Sequence, residues 1–311
     1  MSNEFSETKN LKPEVKMVYM GKINNQETWK LSLLPTPESI LINKNKTINV
    51  KVKNPVPNPT PNPTPNPTPI GGWDGTKIPF QLPGDMTASQ CDAILSLVSI
   101  AENSTTSWWN NYTYIEDIGD GRGYTINIVG FCTGTHDFLW LVNHLKSFSP
   151  QHPLVKYLPA LQKIDGTPSH AGLEGLPQLI KTLGNDADYL KATWDAILHF
   201  YWTPAMNMAK KLGLVLPISK GQLYDINLNS GNLSIVNKVS VKPPAQGGDE
   251  KVWLSALQNA WQAHITAVDN SLNEGQPDRA LLWKSVLQAG NVQLKKPITN
   301  LVCYGDSFVI V

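Results

Sequence analysis

Residues 101–125 read AENSTTSWWNNYTYIEDIGDGRGYT. This stretch is informative about the fold because it joins a helical pattern to a glycine-rich turn. Its second half, from Tyr114 to Thr125, carries three carboxylates, three glycines and one arginine. Asp and Gly are ordinary turn residues, so a solvated hairpin loop would explain these twelve residues by themselves. The flanking segments Tyr112–Ile115 and Tyr124–Val129 are typical of strands. We therefore predict one small sheet bent about an acid-rich turn.

A helix is predicted immediately before the turn, over TASQCDAILSLVSIAEN. It opens at Thr87, and Gln90 three residues later has the spacing of a capping box. Ile94, Val98 and Glu102 follow at i, i+4 and i+8 and so share one face. Partial burial and the negative end of the helix dipole both favour the protonated form of Glu102, as a general acid requires. The alternative is a helix-end glutamate held by an ion-pair partner.

Asp120 has the opposite surroundings. It lies between Gly119 and Gly121 on an open turn, close in sequence to Arg122. We expect its carboxylate to stay ionised there. Two carboxyl groups whose surroundings favour opposite protonation states are the usual pattern for glycoside hydrolysis.

A proline-rich segment divides the chain. PVPNPTPNPTPNPTP, residues 55–69, contains NPTP three times in tandem. Proline fixes φ and lacks the backbone donor, so we expect this segment to form a polyproline II spacer, with a reach of roughly 45 Å at ~3.1 Å per residue. We predict a linker over residues 55–72 and a catalytic domain over residues 73–311. Residues 1–54 are either a small β module or a poorly ordered tail.

The catalytic domain is predicted to be α+β and mainly α, since helical patterns outnumber strand patterns after residue 72. Further helices are predicted over HDFLWLVNHLKSF, PLVKYLPALQKI, DYLKATWDAILHFYW, AMNMAKKLGL, KVWLSALQNAWQAHI and DRALLWKSVLQA. Strand patterns are confined to the two arms of the acid-rich turn and to YGDSFVIV at the C-terminus.

Composition excludes several classes of protein. A formal net charge of +1 does not suit a nucleic-acid binder, which would be strongly basic. No apolar run of ~18 residues exists that could span a membrane. Cys91, Cys132 and Cys303 cannot all pair, so the chain is not a disulfide scaffold. The six histidines show no metal-binding spacing, and we predict neither a metal nor a cofactor.

Together with GFCTGTHD, which follows the turn, residues 101–125 closely resemble the catalytic signature of glycoside hydrolase family 46 chitosanases. The similarity continues in order through KYLPALQKIDGTPSHAGL, PAQGGDE, LQAGNVQL and YGDSFVI, and covers roughly residues 85–311. The resemblance implies a two-lobed lysozyme-like fold around an open cleft. It also implies endo-hydrolysis of β-1,4-linked glucosamine with inversion. We expect a monomer whose partner is chitosan or a glucosamine-rich cell-wall polysaccharide, with no nucleic acid or membrane partner.

The resemblance assigns the catalytic residues by motif. Glu102 in AEN matches the general acid, and Asp120 in GDGRG matches the base that activates water. Thr125 in GYT matches the residue that helps to hold that water. An inverting enzyme needs a gap of ~6.5–9.5 Å between its two carboxyl groups to house the water.

The acid-rich turn suits a polycationic substrate, because each deacetylated sugar carries an ammonium group. Glu116, Asp117 and Asp137, in THD, are the candidates for binding that group. Arg122 is included in the same site, where we expect it to orient neighbouring carboxylates, since a cation would repel the substrate.

The remaining matches lie further along the chain. His170, in SHAGL, is a candidate substrate-binding residue, with a loop-packing histidine as the alternative. Glu250, in GGDE, matches an acidic position of the second lobe and is expected to face the cleft. The family supports its acid with an Arg–Asp–Arg network. Asp225 matches the central member, while Lys242 and Trp261 take the places of the arginines, which would weaken or rebuild the support for Glu102.

Two other functions stay open at this point. One is a lysozyme- or chitinase-type hydrolase of acetylated glycans, although an acid-rich turn has no charge to meet on an N-acetyl group. The other is a non-catalytic glycan-binding protein, which the presence of both Glu102 and Asp120 argues against.

The location of the protein is also predicted from the sequence. The N-terminal MSNEFSETKNLKPEVKM lacks the apolar region of a secretory signal. We expect an extracellular enzyme whose export signal is absent from this numbering, or a virion-associated one. The tandem NPTP linker would suit a chitosanase packaged by an algal virus as well as a bacterial export product.

Overall fold

The computed structural model describes residues 15–23, 26–33, 77–272 and 277–311. The chain divides into two units, residues 1–62 and residues 63–311. In the first unit, strand β1 (Val15–Ile23) pairs antiparallel with strand β2 (Gln26–Leu33). The proline-rich segment predicted as a linker lies outside the described residues, so its conformation stays a prediction.

The second unit is mainly helical, which confirms the predicted fold class. The α-helices of its described residues are α1 (Ala88–Asn103), α2 (Asp137–Phe148), α3 (Leu158–Ile164), α4 (Leu176–Ile180), α5 (Ala187–Ile197), α6 (Thr203–Leu212), α7 (Pro217–Ser230), α8 (Glu250–Leu272) and α9 (Pro277–Gln288). A π-helical turn, Leu198–Trp202, joins α5 to α6. Short 3₁₀ helices cover Trp108–Thr113, Pro153–Tyr157, Ser234–Lys238 and Pro244–Gln246. None of the described helices is both long and apolar enough to cross a membrane.

The first helix, α1, begins and ends as the sequence predicts. The Thr87 hydroxyl accepts a hydrogen bond from the Gln90 backbone N–H (3.2 Å), and the Gln90 side chain accepts one from the Thr87 backbone N–H (2.9 Å). This is the predicted capping box. Ile94 and Val98 are buried, so the predicted apolar face packs into the core. Glu102 consequently lies on the last turn, at the edge of that core.

A three-stranded antiparallel sheet carries the acid-rich turn. It consists of β3 (Ile115–Asp117), β4 (Tyr124–Ile126) and β5 (Phe131–Cys132), in that order. The first arm is shorter than predicted because a 3₁₀ helix occupies Trp108–Thr113. Core contacts explain the difference: the Trp194 indole donates to the hydroxyl of buried Tyr112 (2.8 Å) and the Tyr189 hydroxyl to its carbonyl (3.0 Å).

Helix α7 was not predicted from the sequence. Every residue from Pro217 to Asn227 is buried, polar residues included, so polar and apolar side chains are mixed around the helix without an amphipathic period. It packs against α1 and α9 and brings Asp225 into the interior. The predicted C-terminal strand is present as β7 (Asp306–Ile310), paired antiparallel with β6 (Ile298–Cys303). This hairpin packs on α9 and α1.

Candidate active site

Glu102 is held from inside the protein by a buried arginine. Nη1 of Arg279 donates to Oε1 of Glu102, while Nε and Nη2 of Arg279 donate to Oδ1 of Asp225 (2.9 and 2.6 Å). The Trp283 indole donates to Oδ2 of Asp225 (2.9 Å). The side chains of Arg279 and Asp225 are fully buried, whereas 27% of the Glu102 side chain is exposed. The network therefore anchors one oxygen of Glu102 and leaves part of the carboxylate accessible at the surface.

The members of this network differ from the sequence expectation. Asp225 is central, but its partners are Arg279 and Trp283. Lys242 is exposed, and the indole nitrogen of buried Trp261 has no hydrogen-bond partner among the described residues. The expectation was wrong because Arg279 lies 54 residues beyond Asp225, a separation over which sequence shows no pairing.

Burial and charge act in opposite directions on the members of the network. Burial raises the pKa of Asp225, although the adjacent Arg279 opposes that rise. Burial by itself would lower the pKa of Arg279, but the carboxylates of Asp225 and Glu102 outweigh burial and raise it. Arg279 is thus a permanent cation shared by two carboxylates.

Asp120 is held on its turn by Arg122. Nε and Nη2 of Arg122 lie 2.7 and 2.6 Å from Oδ2 of Asp120, and the Arg122 backbone N–H donates to Oδ1 (3.0 Å). Gly119 and Gly121 have φ values of 73° and 85°, which favour glycine. With 29% of its side chain exposed, Asp120 is fixed in direction yet accessible. This contact fits the expectation that Arg122 orients a neighbouring carboxylate, and its role in the reaction stays a prediction.

Thr125 lies in β4 with its hydroxyl fixed by a thiol. Its Oγ1 is 3.5 Å from Sγ of Cys132, and the Cys132 thiol donates to the Gly130 carbonyl (3.2 Å). A side chain at Gly130 would begin 3.1 Å from Cγ2 of Thr125. Cys132 is fully buried, and burial raises the pKa of its thiol. The Thr125 hydroxyl is therefore positioned by its neighbours in the sheet.

Asp137 joins the sheet to α2. Its Oδ1 accepts hydrogen bonds from the backbone N–H of Cys132 (2.9 Å), the hydroxyl of Thr135 (2.9 Å) and the backbone N–H of Phe138 (2.8 Å). Burial raises the pKa of Asp137 to about 6 even though these bonds favour the ionised form. Both the charge and the position of this carboxyl are thus set by the surrounding fold.

The other acidic residues of the turn have aromatic neighbours. The Tyr114 hydroxyl donates to Oε2 of Glu116 (3.1 Å), and burial together with Glu116 raises the pKa of Tyr114 to about 12. Nε2 of His170 lies 3.3 Å from Oδ2 of Asp117, and its ring stacks on Tyr124 at 3.9 Å between centroids. His170 therefore packs its loop on the sheet, which fits the alternative of a loop-packing histidine. Its ring also faces Asp117.

Glu250 does not have the placement expected of a sugar-binding residue. Its buried carboxylate accepts hydrogen bonds from the backbone N–H of Val215 (3.1 and 2.9 Å) and of Leu216 (2.9 Å), just before α7. Backbone amides thus occupy both oxygens. Glu250 caps the entry to α7, and this differs from the expected position facing the cleft.

Tyr201 is a site residue that sequence reasoning missed. It lies in the π-helical turn, a geometry often found at functional sites, and its ring stacks on Phe131 at 6.0 Å. Burial raises the pKa of Tyr201, and Asp137 and Glu102 raise it further. Both carboxylates therefore lie within electrostatic range of the Tyr201 phenol. The sequence HFYW predicted only a continuation of the helix, because no residue in it indicates a π-helical turn.

No cluster of three or more His, Cys, Asp or Glu that could hold a metal ion occurs among the described residues. The arrangement instead offers two partly exposed carboxylates, each bound by one arginine, together with a fixed hydroxyl. Such a set can donate a proton, accept a proton and hold a water molecule.

The amino-acid sequence of the chain is similar to those of known glycoside hydrolases. The model of glycosyl hydrolase family 46 matches residues 96–298. A chitosanase from Streptomyces sp. strain N174 is 39% identical over 230 residues, which are 70% of this chain and 80% of that protein. A chitosanase from Nocardioides sp. strain N106 is 37% identical over 70% of this chain and 81% of that protein.

Solved structures are similar over a comparable share of the chain. A family 46 chitosanase from Gynuella sunshinyii in complex with chitotetraose has a TM-score of 0.65 and 27% identity, over 73% of this chain and 99% of that chain. The native chitosanase of Bacillus subtilis MY002 has a TM-score of 0.66 and 27% identity, over 73% and 100%. The expected lysozyme-like fold is confirmed by this likeness.

Proposed function

The chain belongs to glycosyl hydrolase family 46, and we propose on this premise that it cleaves chitosan internally, between β-1,4-linked glucosamine units, with inversion at the anomeric carbon. The chitosanases to which it is similar, and the chitotetraose bound by one of them, support this substrate class. The proposal assigns the acid and base roles to the two arginine-bound carboxylates.

Glu102 is the proposed general acid. Arg279 fixes one carboxylate oxygen, so the accessible part of the group can be aimed at the glycosidic oxygen. As the bond from C1 to that oxygen breaks, Glu102 gives its proton to the departing oxygen, which leaves as a sugar hydroxyl. Asp225 offsets the charge of Arg279 inside the protein, so the arginine can orient Glu102 without being a lone buried cation.

Asp120 is the proposed general base. It removes a proton from a water molecule while the oxygen of that water bonds to C1 on the face opposite to the leaving group. Thr125, whose hydroxyl is fixed by Cys132, holds the water beside Asp120. The product is therefore a hemiacetal of inverted configuration. Positioned acid or base catalysis contributes roughly 10²–10⁴-fold to the rate.

Substrate selection is proposed to come from charge. Glu116, Asp117 and Asp137 surround the turn that carries Asp120, and each can meet the ammonium group of a glucosamine unit. Hydrogen bonds between charged groups are roughly twice as strong as neutral ones, so a deacetylated sugar gains more at this site than an acetylated one. We also place the enzyme outside the cell or in a virion, because its polymeric substrate is extracellular.

The proposal rests on two carboxylates, Glu102 and Asp120, that have similar surroundings. Glu102 and Asp120 are 27% and 29% exposed, and each is bound by one arginine. Reducing ends released from fully deacetylated chitosan and from chitin should be measured for the wild type, Glu102→Gln, Asp120→Asn and the control Asp188→Asn, an exposed carboxylate on α5.

The wild type and Asp188→Asn should cleave chitosan equally and leave chitin intact. Glu102→Gln and Asp120→Asn should each lose at least ~100-fold in rate. A Glu102→Gln enzyme that keeps more than about a tenth of the wild-type rate would contradict the assignment, given that range. Cleavage of chitin would favour the lysozyme-type alternative, and cleavage of neither polymer would favour a binding protein.

A further inference from the structure

The C-terminal hairpin presents a tyrosine on a tight turn. Cys303 at the end of β6 pairs with Asp306 at the start of β7, so the connection has two residues, Tyr304 and Gly305. Their φ values are 52° and 84°. Two successive positive φ values in a two-residue hairpin are the mark of a type I′ turn, for which Asn-Gly and Asp-Gly are the preferred pairs.

Tyrosine is an unfavourable residue at the first position of such a turn. A left-handed φ crowds its Cβ against the following carbonyl, which asparagine and aspartate tolerate better. The surrounding structure holds the strained residue in place, because Oδ2 of Asp278 on α9 accepts a hydrogen bond from the Tyr304 backbone N–H (2.8 Å). Backbone strain maintained in this way clusters at functional sites.

The same turn is linked to the proposed general acid through the start of α9. Asp278, which binds the Tyr304 backbone, directly precedes Arg279, which binds Glu102. Burial raises the pKa of the Tyr304 phenol, and the negative charge of Glu102 adds to that rise. Nevertheless 44% of Tyr304 is exposed. The phenol is thus open enough to touch a ligand, on a turn whose backbone is tied to the residue that precedes Arg279.

We propose that Tyr304 lines the substrate cleft next to Glu102 and contacts a glucosamine ring that flanks the cleaved bond. This inference rests on the proposed function. Glu102 must come within ~3 Å of the glycosidic oxygen to protonate it, so the sugars on either side lie against the side chains that border Glu102. A half-exposed tyrosine offers them a flat apolar face and a hydroxyl group. A sugar contact would explain a tyrosine where the turn favours asparagine.

The test separates a sugar contact from a turn-forming role. Tyr304→Asn removes the phenol but installs the residue that the turn prefers, and Tyr304→Phe removes the hydroxyl alone. Val302→Thr is the control, because Val302 is 54% exposed on the same hairpin. kcat/KM should be measured on a fully deacetylated glucosamine hexamer, and the midpoint of thermal unfolding recorded for each variant.

Tyr304→Asn should unfold at the same temperature as the wild type or higher, yet lose about tenfold or more in kcat/KM, because both the apolar face and the hydroxyl of the phenol are lost. Tyr304→Phe should lose less, and Val302→Thr should match the wild type. The proposal is overturned if Tyr304→Asn keeps the wild-type kcat/KM. It is equally overturned if the activity of Tyr304→Asn falls only together with its unfolding temperature, as a turn-forming tyrosine requires.

Binding measured without turnover keeps this test independent of the reaction. The Kd of the hexamer should be about tenfold weaker for Glu102→Gln with Tyr304→Asn than for Glu102→Gln alone, for the same lost contact. Equal Kd values would overturn the proposal. If the wild type binds the hexamer without cleaving it, the proposed function is contradicted, and the comparison of Kd values still decides whether Tyr304 contacts the sugar.

Discussion

Replacement of Arg279 by methionine removes the cation that joins α1, α7 and α9 beneath Glu102. The side chains of Arg279 and Asp225 are both fully buried, and the change deletes two hydrogen bonds to Asp225 and one to Glu102. Methionine retains much of the apolar stem, so the lost charge pairing dominates. Breaking a buried ion pair by removing one partner costs about 3–5 kcal/mol, and we expect a loss of that size in the free energy of unfolding.

The matched control is Arg122→Met. Arg122 also pairs with an aspartate, but 49% of its side chain and 29% of that of Asp120 are exposed. Exposed pairs contribute ~0–1 kcal/mol, so the control should lose little stability. Urea unfolding of the full chain at pH 7, followed by tryptophan fluorescence and circular dichroism, measures both losses. Equal losses, or a loss below ~1 kcal/mol for Arg279→Met, would refute the buried network as the main stabiliser of this region.

The pH dependence of the Arg279→Met defect has a definite sign. Burial raises the pKa of Asp225, and loss of the adjacent cation raises it further. A carboxyl whose pKa is higher in the folded than in the unfolded state stabilises the fold at low pH, and that stability is lost as the pH rises through the folded-state pKa. The defect should therefore shrink between pH 7 and pH 5. Adding Asp225→Asn should restore part of the stability at pH 7.

Three further predictions concern other parts of the chain. Because the pKa of Asp137 is raised to about 6, its stabilising effect is present at low pH and lost above about 6. Relative to Asp137→Asn, the wild type should lose up to ~2 kcal/mol of unfolding free energy between pH 4 and pH 7, and a constant difference would contradict this. Glu116→Gln should weaken kcat/KM on fully deacetylated chitosan more than on a partly acetylated polymer, by up to ~100-fold; an equal loss would point to a structural role. Deletion of residues 1–70 should leave hexamer hydrolysis unchanged, whereas an inactive or insoluble product would show that this region belongs to the catalytic core.

Local sequence signals predicted the start of the site well. The capping box of α1 needs only Thr87 and Gln90, three residues apart, and the burial of Ile94 and Val98 follows from helical spacing. The glycines of the acid-rich turn likewise predicted that the chain reverses there. These features depend on neighbours within one or two turns of chain, which is the range that propensity and periodicity describe.

Long-range contacts were not predictable in the same way. The pairing of Arg279 with Glu102 spans 177 residues and leaves no local pattern. Helix α7 is buried around its whole circumference from Pro217 to Asn227, so its polar and apolar residues are not separated into the two faces by which a helix is recognised. Tyr112 was predicted to start a strand but is drawn into a 3₁₀ helix by its bonds to two aromatic side chains of α5.

In the proposed mechanism, Glu102 protonates the leaving group while Asp120 directs water to the opposite face of C1. The most direct test is the anomeric configuration of the first product, followed by proton NMR during the first minutes of hydrolysis of a glucosamine hexamer. We predict that the α anomer appears first and that the β anomer follows only by mutarotation. The β anomer as the initial product would mean a retaining enzyme with a covalent intermediate, and it would contradict the roles of both carboxylates.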